Sequence, residues 1–515
     1  MRLDDFTTDF PRLPAASPVW HSAVSAEEFR ELCEQVSHCG GKLVALWSSD
    51  ETESGAGYAV HAALVAAPGM LVLTLPVARD KPAFPNLGDL FPAAERMQRA
   101  VADMMGIHAI GAGDQRPWLR HGAWPGGVHP LRKSFDAAAV QPQEPDRYAF
   151  VPVSGNGVHE IPVGPVHAGT IEPGHFRFSV VGEKVLRLEE RLGYTHKGIE
   201  KRFEGMTLGE GARLAGRVSG DSTVAYAWAY AQAVECVCRS TPPERALWLR
   251  AVLLELERIQ NHLGDLGYLA NDTGLAFGFT QFWILKEDLL RLNGELFGHR
   301  YLMDRIVPGG VACDLDSAGM RRLAAMLDHL AHEIAILKDI YDEHAGMQDR
   351  FLTTGRVAPE LAAQLGLTGL AGRASSQAWD VRVQHPCAPY DRLDTVMATH
   401  RNGDVAARVV VRFDEIGESM RLLRLLLDGL PAGETRIALA DAAPGQLGMG
   451  WVEGWRGEIV VALHTAPDNR IHRLHPHDPS WQNWPVLEHA IMGNIVPDFP
   501  LINKSFNLSY SGVDL

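Results

Sequence analysis

The spacing of hydrophobic and polar residues divides the chain into two regions of different character. In the first region, short apolar or alternating runs predict strands, and stretches with helical periodicity predict helices. The strands are predicted at residues 42–48, 58–66 and 70–77, and the helices at residues 25–36 and 93–105. This mixture predicts a small α+β domain over residues 1–145, which ends near the polar, proline-bearing segment 141–146.

From residue 146 to residue 515 the pattern favours a mainly helical domain with peripheral strands, so the overall fold class is α+β. Thr241 is the predicted N-cap of a helix, and Glu244 is placed to complete a capping box with it. The helix that follows is expected to end near His262 and, being apolar on most sides, to lie inside a bundle. Other helices are predicted at 280–297, 317–348, 404–427 and 483–492. Strands are predicted at 176–185, 435–439 and 448–463, the last run being broken by a turn at 453–457.

Composition and charge narrow the classes of function. The 515 residues carry a formal net charge of -15 without a run of lysines or arginines, which argues against a nucleic-acid partner. The first residues lack the basic and apolar regions of a secretory signal, so we expect a cytoplasmic protein. The apolar stretch 61–78 is split by Pro68 and Gly69 and predicts a hairpin. Cys236 and Cys238 are expected to be buried thiols.

Two short segments carry the strongest functional signal. Residues 217–222 read Arg-Val-Ser-Gly-Asp-Ser and resemble the Arg-x-Cys-Gly-x-Cys box of nickel–iron hydrogenase large subunits. Residues 505–512 read Ser-Phe-Asn-Leu-Ser-Tyr-Ser-Gly and resemble the C-terminal Asp-Pro-Cys-x-x-Cys box of the same subunits. The four cysteine positions hold Ser219, Ser222, Ser509 and Gly512. Thiolates suit nickel because they are soft, whereas hydroxyls are hard and seldom ionise, so this resemblance implies a hydrogenase body without its metal.

A second resemblance extends over nearly the whole chain. Residues 99–107 and 129–135 resemble signature regions of the C subunit of respiratory complex I. Four further segments resemble both the hydrogenase large subunits and the D subunit of complex I, which form one superfamily. These segments are residues 164–177, 193–201, 373–376 and 455–457. The fused layout is most similar to the large subunits of formate hydrogenlyase and hydrogenase-4. It implies a domain like the complex I C subunit at 1–145, and a domain like the hydrogenase large subunit or the complex I D subunit at 146–515.

The resemblance also implies roles for individual residues. In the hydrogenase branch, Glu172 corresponds to the acid that passes protons to a cysteine ligand, and Arg456 to the guanidinium that overhangs the metal. Without the thiolates, these two residues could form an internal ion pair or line a polar cavity. In the complex I branch, the quinone-binding histidine and tyrosine correspond to Ile171 and Gly220, whose side chains cannot donate a hydrogen bond.

Polar residues close to these positions leave two alternatives open. His167 and His175 could substitute in a quinone region, although a lone histidine is more often structural. Asp221 could belong to a hard-oxygen metal site or could line a solvated polar pocket. Its partners in such a metal site would be Ser219, Ser222, Glu172 and Ser509.

Other aromatic and histidine residues favour structural roles. Tyr226, Trp228 and Tyr230 alternate along the helix after the first box and predict core packing. His385 precedes a proline, and the spacing of the later histidines matches no metal-ligand pattern, so surface loops are expected for all of them. The later histidines are His472, His475 and His477.

Three functions follow from the resemblance. The first is a subunit of a complex I-like, membrane-associated oxidoreductase that docks an iron–sulfur partner and couples electron transfer to a quinone without a nickel–iron centre. The second is a non-catalytic scaffold of such a complex, and the third is a hydrogenase with unusual ligands. An open polar cavity between Glu172, Ser219, Arg456 and Ser509 that leads toward the membrane side would favour the first, and a packed one the second.

Partners and location are implied in the same way. We expect a small iron–sulfur subunit like the B subunit of complex I, which carries a [4Fe–4S] cluster, and a ferredoxin-like subunit. Membrane partners would be antiporter-like and quinone-site subunits. This chain is expected to bind no metal, with a quinone as its one candidate ligand. Its expected position is peripheral, on the cytoplasmic side of the inner membrane.

Overall fold

The computed structural model describes residues 10–139, 141–168 and 171–515, and its N-terminal part is a sheet with two helices. The elements of this part are β1 (Val19–Ala23), α1 (Ala26–His38), β2 (Lys42–Glu51), β3 (Gly57–Ala66), β4 (Gly69–Val77), β5 (Ala83–Pro85), α2 (Ala94–Met105) and β6 (His108–Ile110). The main sheet has the order β1-β4-β3-β2, in which β1 and β4 are parallel and the other neighbours antiparallel. Strands β5 and β6 form a separate parallel pair.

The predicted elements of this part are confirmed. Helix α1 starts at a capping box, in which Ser25 Oγ accepts from the Glu28 amide and the Glu28 carboxylate accepts from the Ser25 amide. The apolar stretch 61–78 lies in the antiparallel pair of β3 and β4, which is the predicted hairpin. In the part of the chain that the structure describes, no helix is long and apolar enough to cross a membrane.

A helical body follows the N-terminal sheet. Its helices are α3 (Ile199–Phe203), α4 (Leu208–Ala215), α5 (Thr223–Val237), α6 (Glu244–Asp272), α7 (Ala276–Phe297), α8 (Ser317–Glu343), α9 (Ala345–Phe351), α10 (Pro359–Leu365), α11 (Gly369–Arg373), α12 (Val381–Gln384), α13 (Val405–Asp428), α14 (Ser480–Ala490), α15 (Phe499–Phe506) and α16 (Ser511–Asp514). Helix α6 lies at its centre and packs against α7, α13 and α15. The prediction that this helix lies inside a bundle is confirmed, since most of its residues are buried.

Both ends of α6 differ from the prediction. The N-cap is Pro243, which makes no side-chain capping hydrogen bond, so the capping box predicted at Thr241 is wrong. Glu244 instead pairs with Arg392, whose Nη1 donates to it at 2.7 Å. The helix continues past His262 because its apolar side chains remain buried through the last turns.

Three small sheets accompany the helices. They are the meander β7 (Val158–Val163), β8 (His175–Val181) and β9 (Lys184–Arg191), the hairpin β10 (Ile306–Val307) and β11 (Gly310–Val311), and the meander β12 (Leu447–Glu453), β13 (Glu458–Ala466) and β14 (Arg470–His477). The strand predicted at 435–439 is wrong, because the one bridge there joins Arg436 to Gly310. The helix predicted at 317–348 is divided at His344, which caps the Met347 amide.

Strand β14 was not predicted, and it changes the position of the histidines. His475 and His477 are buried in this strand and His472 is partly buried, so their expected location in surface loops is wrong. His385 is also buried, with its ring centre 5.1 Å from that of Trp451. The alternation that would mark β14 is interrupted by Pro476, which made the run resemble a loop.

The N-terminal sheet packs face to face on the β12–β14 meander. The two sheets share a buried cluster to which Val44, Trp47 and Val72 contribute from one side and Met449 and Trp451 from the other. The opposite face of the meander packs on α5, all of whose residues are buried. The meander therefore holds the loop between β12 and β13 at the centre of the molecule, where the candidate site lies.

Candidate functional site

The first cysteine-box segment forms a short 3-10 turn that leads into α5. Ser219 Oγ donates to Asp221 Oδ1 at 2.9 Å and lies 3.0 Å from Ser509 Oγ. Ser509 Oγ accepts a hydrogen bond from the Gly512 amide at 2.9 Å. The turn after α4 and the C-terminal segment after α15 are therefore joined directly, although 290 positions separate the two serines.

Arg456 reaches this cluster from the turn between β12 and β13. Its guanidinium donates to the two carboxylate oxygens of Asp221 at 2.7 and 2.5 Å, and to Ser222 Oγ at 3.2 Å. Its Nε donates to the Asn507 carbonyl at 2.5 Å, and the guanidinium lies 3.9 Å from the ring centre of Trp455. Burial alone would raise the pKa of Asp221, but Arg456 outweighs burial and the pKa is lowered.

The four cysteine-box positions thus lie together around the ion pair of Arg456 and Asp221. Arg456 does not form the predicted alternative ion pair with Glu172, because its partner is Asp221. Glu172 is exposed, and its Oε2 accepts from the Ser511 amide at 3.1 Å. Within the described ranges, no three His, Cys, Asp or Glu side chains are arranged to hold a metal ion.

Gly512 is packed against a carboxylate. A Cβ atom at this position would lie 2.4 Å from Asp478 Oδ2, which is closer than non-bonded atoms approach. Asp478 is fixed there, because Oδ2 accepts from the Tyr226 hydroxyl at 2.7 Å and Oδ1 accepts from the Ser480 amide at 2.9 Å. The carboxylate of Asp478 therefore occupies the space that a side chain at the fourth position would need.

A cleft of about 660 Å³ opens beside this cluster. Its walls come from the loop after β7, the turn before α5, helices α6 and α7, and the segment around α15. The cleft is lined by Ala168, Ile171, Glu172, Ser219, Gly220, Asp221, Asn261, Gly264, Asp265, Tyr268, Lys286, Tyr301, Met303, Arg456, Lys504, Asn507, Leu508, Ser509, Tyr510 and Ser511. Glu172 and Arg456 are therefore both cavity-lining residues, which was the second of the two alternatives considered for them.

The close approach of α6 and α7 shapes one wall of the cleft. A Cβ atom at Gly264 would lie 2.6 Å from Lys286 Nζ, and one at Gly267 would lie 2.7 Å from Trp283 Cδ1. The two glycines, one turn apart on α6, therefore leave room for the two long side chains of α7. Lys286 Nζ also lies 4.8 Å from the ring centre of Trp283, within the range of a cation–π contact.

Most charges of the cleft are engaged within the protein. Asp265 accepts from Arg412 Nε at 2.9 Å and from Asn507 Nδ2 at 2.6 Å. Lys504 Nζ donates to Asp272 Oδ1 at 2.8 Å. Because these charges are paired, the net charge around Asp265 and Lys504 is close to zero, although the surface is polar.

Lys286 is the exception among these charges. In residues 10–139, 141–168 and 171–515, no hydrogen bond or ion pair involves its ammonium group. Burial lowers the pKa of Lys286, and the nearby Asp265 and Asp221 act in the opposite direction. Its ammonium group therefore has hydrogen-bonding capacity that the protein leaves unused.

The residues considered for a quinone region divide into two groups. Ile171 and Gly220 line the cleft, whereas His167 and His175 are not among its lining residues. His175 Nδ1 lies 3.3 Å from the Gly164 carbonyl, and burial lowers its pKa. The ring centre of His167 is 5.5 Å from that of Phe176, in the edge-on geometry of aromatic packing. Gly169 and Thr170 lie outside the described residues.

Three polar residues of the site were missed in the sequence. Lys286 and Lys504 are isolated lysines on amphipathic helices, where a solvated position is the ordinary expectation. Asp478 follows a strand that was itself not recognised. The glycines at 264 and 267 were the one local signal, because a Gly-x-x-Gly spacing inside a helix often marks a close contact.

Two family models match the chain. Residues 22–141 match the 30 kDa subunit of respiratory-chain NADH dehydrogenase, and residues 272–446 match the 49 kDa subunit. Among solved structures, a chain of the membrane-bound sulfane sulfur reductase, an archaeal respiratory membrane complex, superposes with a TM-score of 0.66 at 24% identity. That alignment covers 71% of this chain and 100% of the other, and it supports the fold.

Curated relatives match over greater lengths. Formate hydrogenlyase subunit 5 of Escherichia coli (strain K12) is 32% identical over 92% of this chain and 85% of the relative. Hydrogenase-4 component G of the same strain is 31% identical over 92% and 84%. The C/D subunit of NADH-quinone oxidoreductase from Phocaeicola vulgatus is 29% identical over 84% and 87%. The chain therefore belongs to the family of formate hydrogenlyase subunit 5 and hydrogenase-4 component G, to which the C/D subunit of NADH-quinone oxidoreductase is related.

Proposed function

We propose that this chain is the peripheral large subunit of a complex I-like, membrane-associated oxidoreductase, and that its cleft takes a quinone in place of a nickel–iron centre. The observation that carries this proposal is the cleft of about 660 Å³ beside the four cysteine-box positions. A purely structural scaffold would gain from filling that space with side chains, because packed interiors are more stable than open ones. The open cleft therefore favours a ligand-binding subunit.

The residues at the four positions do not fit a nickel–iron centre. Three of them offer hydroxyl groups, which are hard ligands that rarely ionise, and Gly512 offers no side chain. The guanidinium of Arg456 already neutralises Asp221, so a cation placed there would be repelled and would compete for an engaged carboxylate. These features disfavour the alternative of a hydrogenase with unusual ligands.

In the proposed reaction, electrons arrive from a [4Fe–4S] cluster of a small iron–sulfur subunit. Reduction of a quinone to a quinol takes up two electrons and two protons, which the partner cluster and the solvent-connected cleft would supply. Tyr268, Met303 and Leu508 give the cleft an apolar wall against which a quinone ring could pack. The exposed carboxylate of Glu172 stands on the same cleft and could pass protons inward from solvent.

The proposed partners and position follow from the family. A ferredoxin-like subunit would deliver electrons to the small iron–sulfur subunit, and antiporter-like and quinone-site subunits would lie in the membrane. Gly220 in the turn after Ser219, together with residues 164–168 and 171–173, is exposed or partly exposed and would contribute to the docking surface for the small subunit, whereas residues 508–515 are buried within this chain. The chain itself would be peripheral, on the cytoplasmic side of the inner membrane.

The purified native assembly provides the test. We expect nickel well below one atom per chain, no hydrogen uptake, and reduction of an added short-chain quinone when a reduced viologen supplies electrons. Nickel in one-to-one ratio with hydrogen uptake would contradict the proposal. An assembly that contains neither nickel nor quinone reductase activity would instead support the scaffold.

A further inference from the structure

Lys286 is a cation whose hydrogen-bonding capacity faces the cleft. Its ammonium group lines the cleft and makes no hydrogen bond or ion pair within the part of the chain that the structure describes. Gly264 leaves the space into which Nζ extends, since a Cβ there would lie 2.6 Å from it. Trp283 makes a cation–π contact with this ammonium group, but a partly buried ammonium that has no hydrogen-bond acceptor within the protein is unfavourable unless something else satisfies its hydrogen bonds. A ligand in the cleft could do so.

Two other cations that line the cleft already have acidic partners. Arg456 is held by Asp221 on two nitrogens and by the Asn507 carbonyl on the third. Lys504 is held by Asp272 and lies 5.0 Å from the ring centre of Tyr268. Each of them keeps unused N–H donors, but its charge is already paired with a carboxylate, so a ligand gains less from it than from Lys286.

The surroundings favour a neutral ligand over an anion. Glu172 lines the cleft as an exposed carboxylate, whereas Arg456 already neutralises Asp221, so an anion in the cleft would be repelled by Glu172. Tyr268, Tyr301 and Met303 offer aromatic and thioether surface that suits a flat apolar ring. A ring that carries a carbonyl oxygen matches both the apolar surface and the ammonium donor of Lys286.

We propose that Lys286 binds the quinone by donating a hydrogen bond from Nζ to one of its carbonyl oxygens, with Gly264 as the residue that makes room for it. This inference rests on the proposed quinone function and names the residue that performs the binding. Lys286 replaces donors that the chain lacks at Ile171 and Gly220. The hydrogen bond forms and breaks without any covalent step.

The test measures binding of a short-chain benzoquinone and a short-chain naphthoquinone to the purified assembly. Lys286→Met is expected to weaken binding by about 10- to 100-fold, as loss of a charged hydrogen-bond donor does. Lys338→Met is the control, because it removes the same group from α8, outside the cleft, where Asp342 already engages it. We expect less than about a threefold change for the control. Acetate is not expected to compete.

A second variant keeps every charge. Gly264→Ala places a methyl group 2.6 Å from the present position of Nζ, which must move away. The variant should weaken quinone binding in the chain with Lys286, but not in the Lys286→Met chain. Such a non-additive pair would show that the two positions act together. Thermal unfolding of each variant checks that the fold is retained.

The outcomes separate this inference from the proposed function. If neither quinone binds to the unaltered assembly, the proposed function fails and the inference fails with it. If quinone binds equally well to the unaltered assembly and to Lys286→Met, the function stands and Lys286 is not the donor. Equal weakening by both lysine variants, or competition by acetate, would indicate a general charge effect and would also overturn the inference.

Discussion

Because Gly512 has no side chain, the carboxylate of Asp478 can occupy the space beside it. Asp478 is anchored by Tyr226 and by the Ser480 amide, and it lies where a Cβ at 512 would point. Arg456 supplies positive charge next to Asp221. The charged groups of the cluster are therefore paired or hydrogen-bonded within the cluster, and the position of each side chain depends on its partners.

Gly512→Ala is expected to destabilise the protein. The new methyl group would overlap Asp478 Oδ2, and relief requires moving a carboxylate that two donors hold in place. Overpacking of this kind typically costs about 1–3 kcal/mol. Urea denaturation followed by tryptophan fluorescence measures the loss.

Gly220→Ala is the matched control for this steric effect. A Cβ at Gly220 would meet no heavy atom within 4 Å, and the residue lies in the neighbouring turn of the same cluster. Its denaturation midpoint should stay close to that of the unaltered chain. Equal midpoints for the Gly512 and Gly220 variants would mean that Asp478 moves aside freely.

The part of the site that could be predicted from sequence is the part encoded in short segments. Ser219 and Ser509 were recognised because each lies in a contiguous box, and the boxes imply a shared location. Lys286 and Asp478 were missed because their roles depend on residues distant in sequence, Gly264 in one case and Gly512 in the other. Local pattern says nothing about such pairings.

The same division holds for whole elements. Strands β2 to β4 and helices α1 and α2 were predicted because their periodicity is local. Helix α6 was correctly expected inside a bundle, but its apolar pattern did not reveal that its charged residues are buried as well. Glu255 on this helix is buried and accepts from Arg382, which lies 127 positions later. Charge partners at that distance cannot be inferred from spacing.

Arg382→Met is expected to destabilise the helical body. Arg382 Nη1 donates to both carboxylate oxygens of Glu255, at 3.0 and 3.1 Å, and the guanidinium also holds Asp380. Removal would leave two buried carboxylates without this partner, which typically costs about 3–5 kcal/mol. The shift of the denaturation midpoint measures the loss.

Arg392→Met is the control, because Arg392 also pairs with a glutamate of α6, but at the surface. Arg392 pairs with Glu244 at 2.7 Å, but both side chains are about half exposed, so water and salt replace the interaction. Its midpoint should not change. If the two arginine variants unfold at the same midpoint, burial of the pair adds nothing to stability.

For the molecule as a whole, a histidine cluster joins the N-terminal sheet to the β12–β14 meander. His61 is hydrogen-bonded through Thr74 to His21 and through Ser49 to Glu51. From the meander, His472 Nε2 lies 3.2 Å from Glu51, and the His464 ring centre lies 4.9 Å from that of His61. All of these side chains except that of Ser49 line a second cavity of about 780 Å³ between the two sheets.

Low pH is expected to destabilise the contact between the N-terminal sheet and the β12–β14 meander. Burial lowers the pKa of His464 to about 4 and the pKa of His61 well below its ordinary value. Unfolded histidines titrate near pH 6.5, so between about pH 6.5 and 4 the unfolded chain binds more protons than the folded chain. Stability should therefore fall as the pH falls through this window, by up to about 1.4 kcal/mol per pH unit for each histidine. Denaturation midpoints measured at intervals between pH 4 and 7 give the slope.

His464→Gln should reduce that slope, because the variant has one fewer proton to bind on unfolding. His159→Gln removes an exposed histidine from β7 and should leave the slope unchanged. His464→Gln also removes a smaller effect of His464, which helps to lower the pKa of Glu51. Burial would raise that pKa, but His472 and Ser49 hold it at about 2, so the stabilisation by Glu51 is lost mainly below this window. If the unaltered chain and His464→Gln have the same slope, the histidines do not make this contact sensitive to acid, and another group must explain any acid lability.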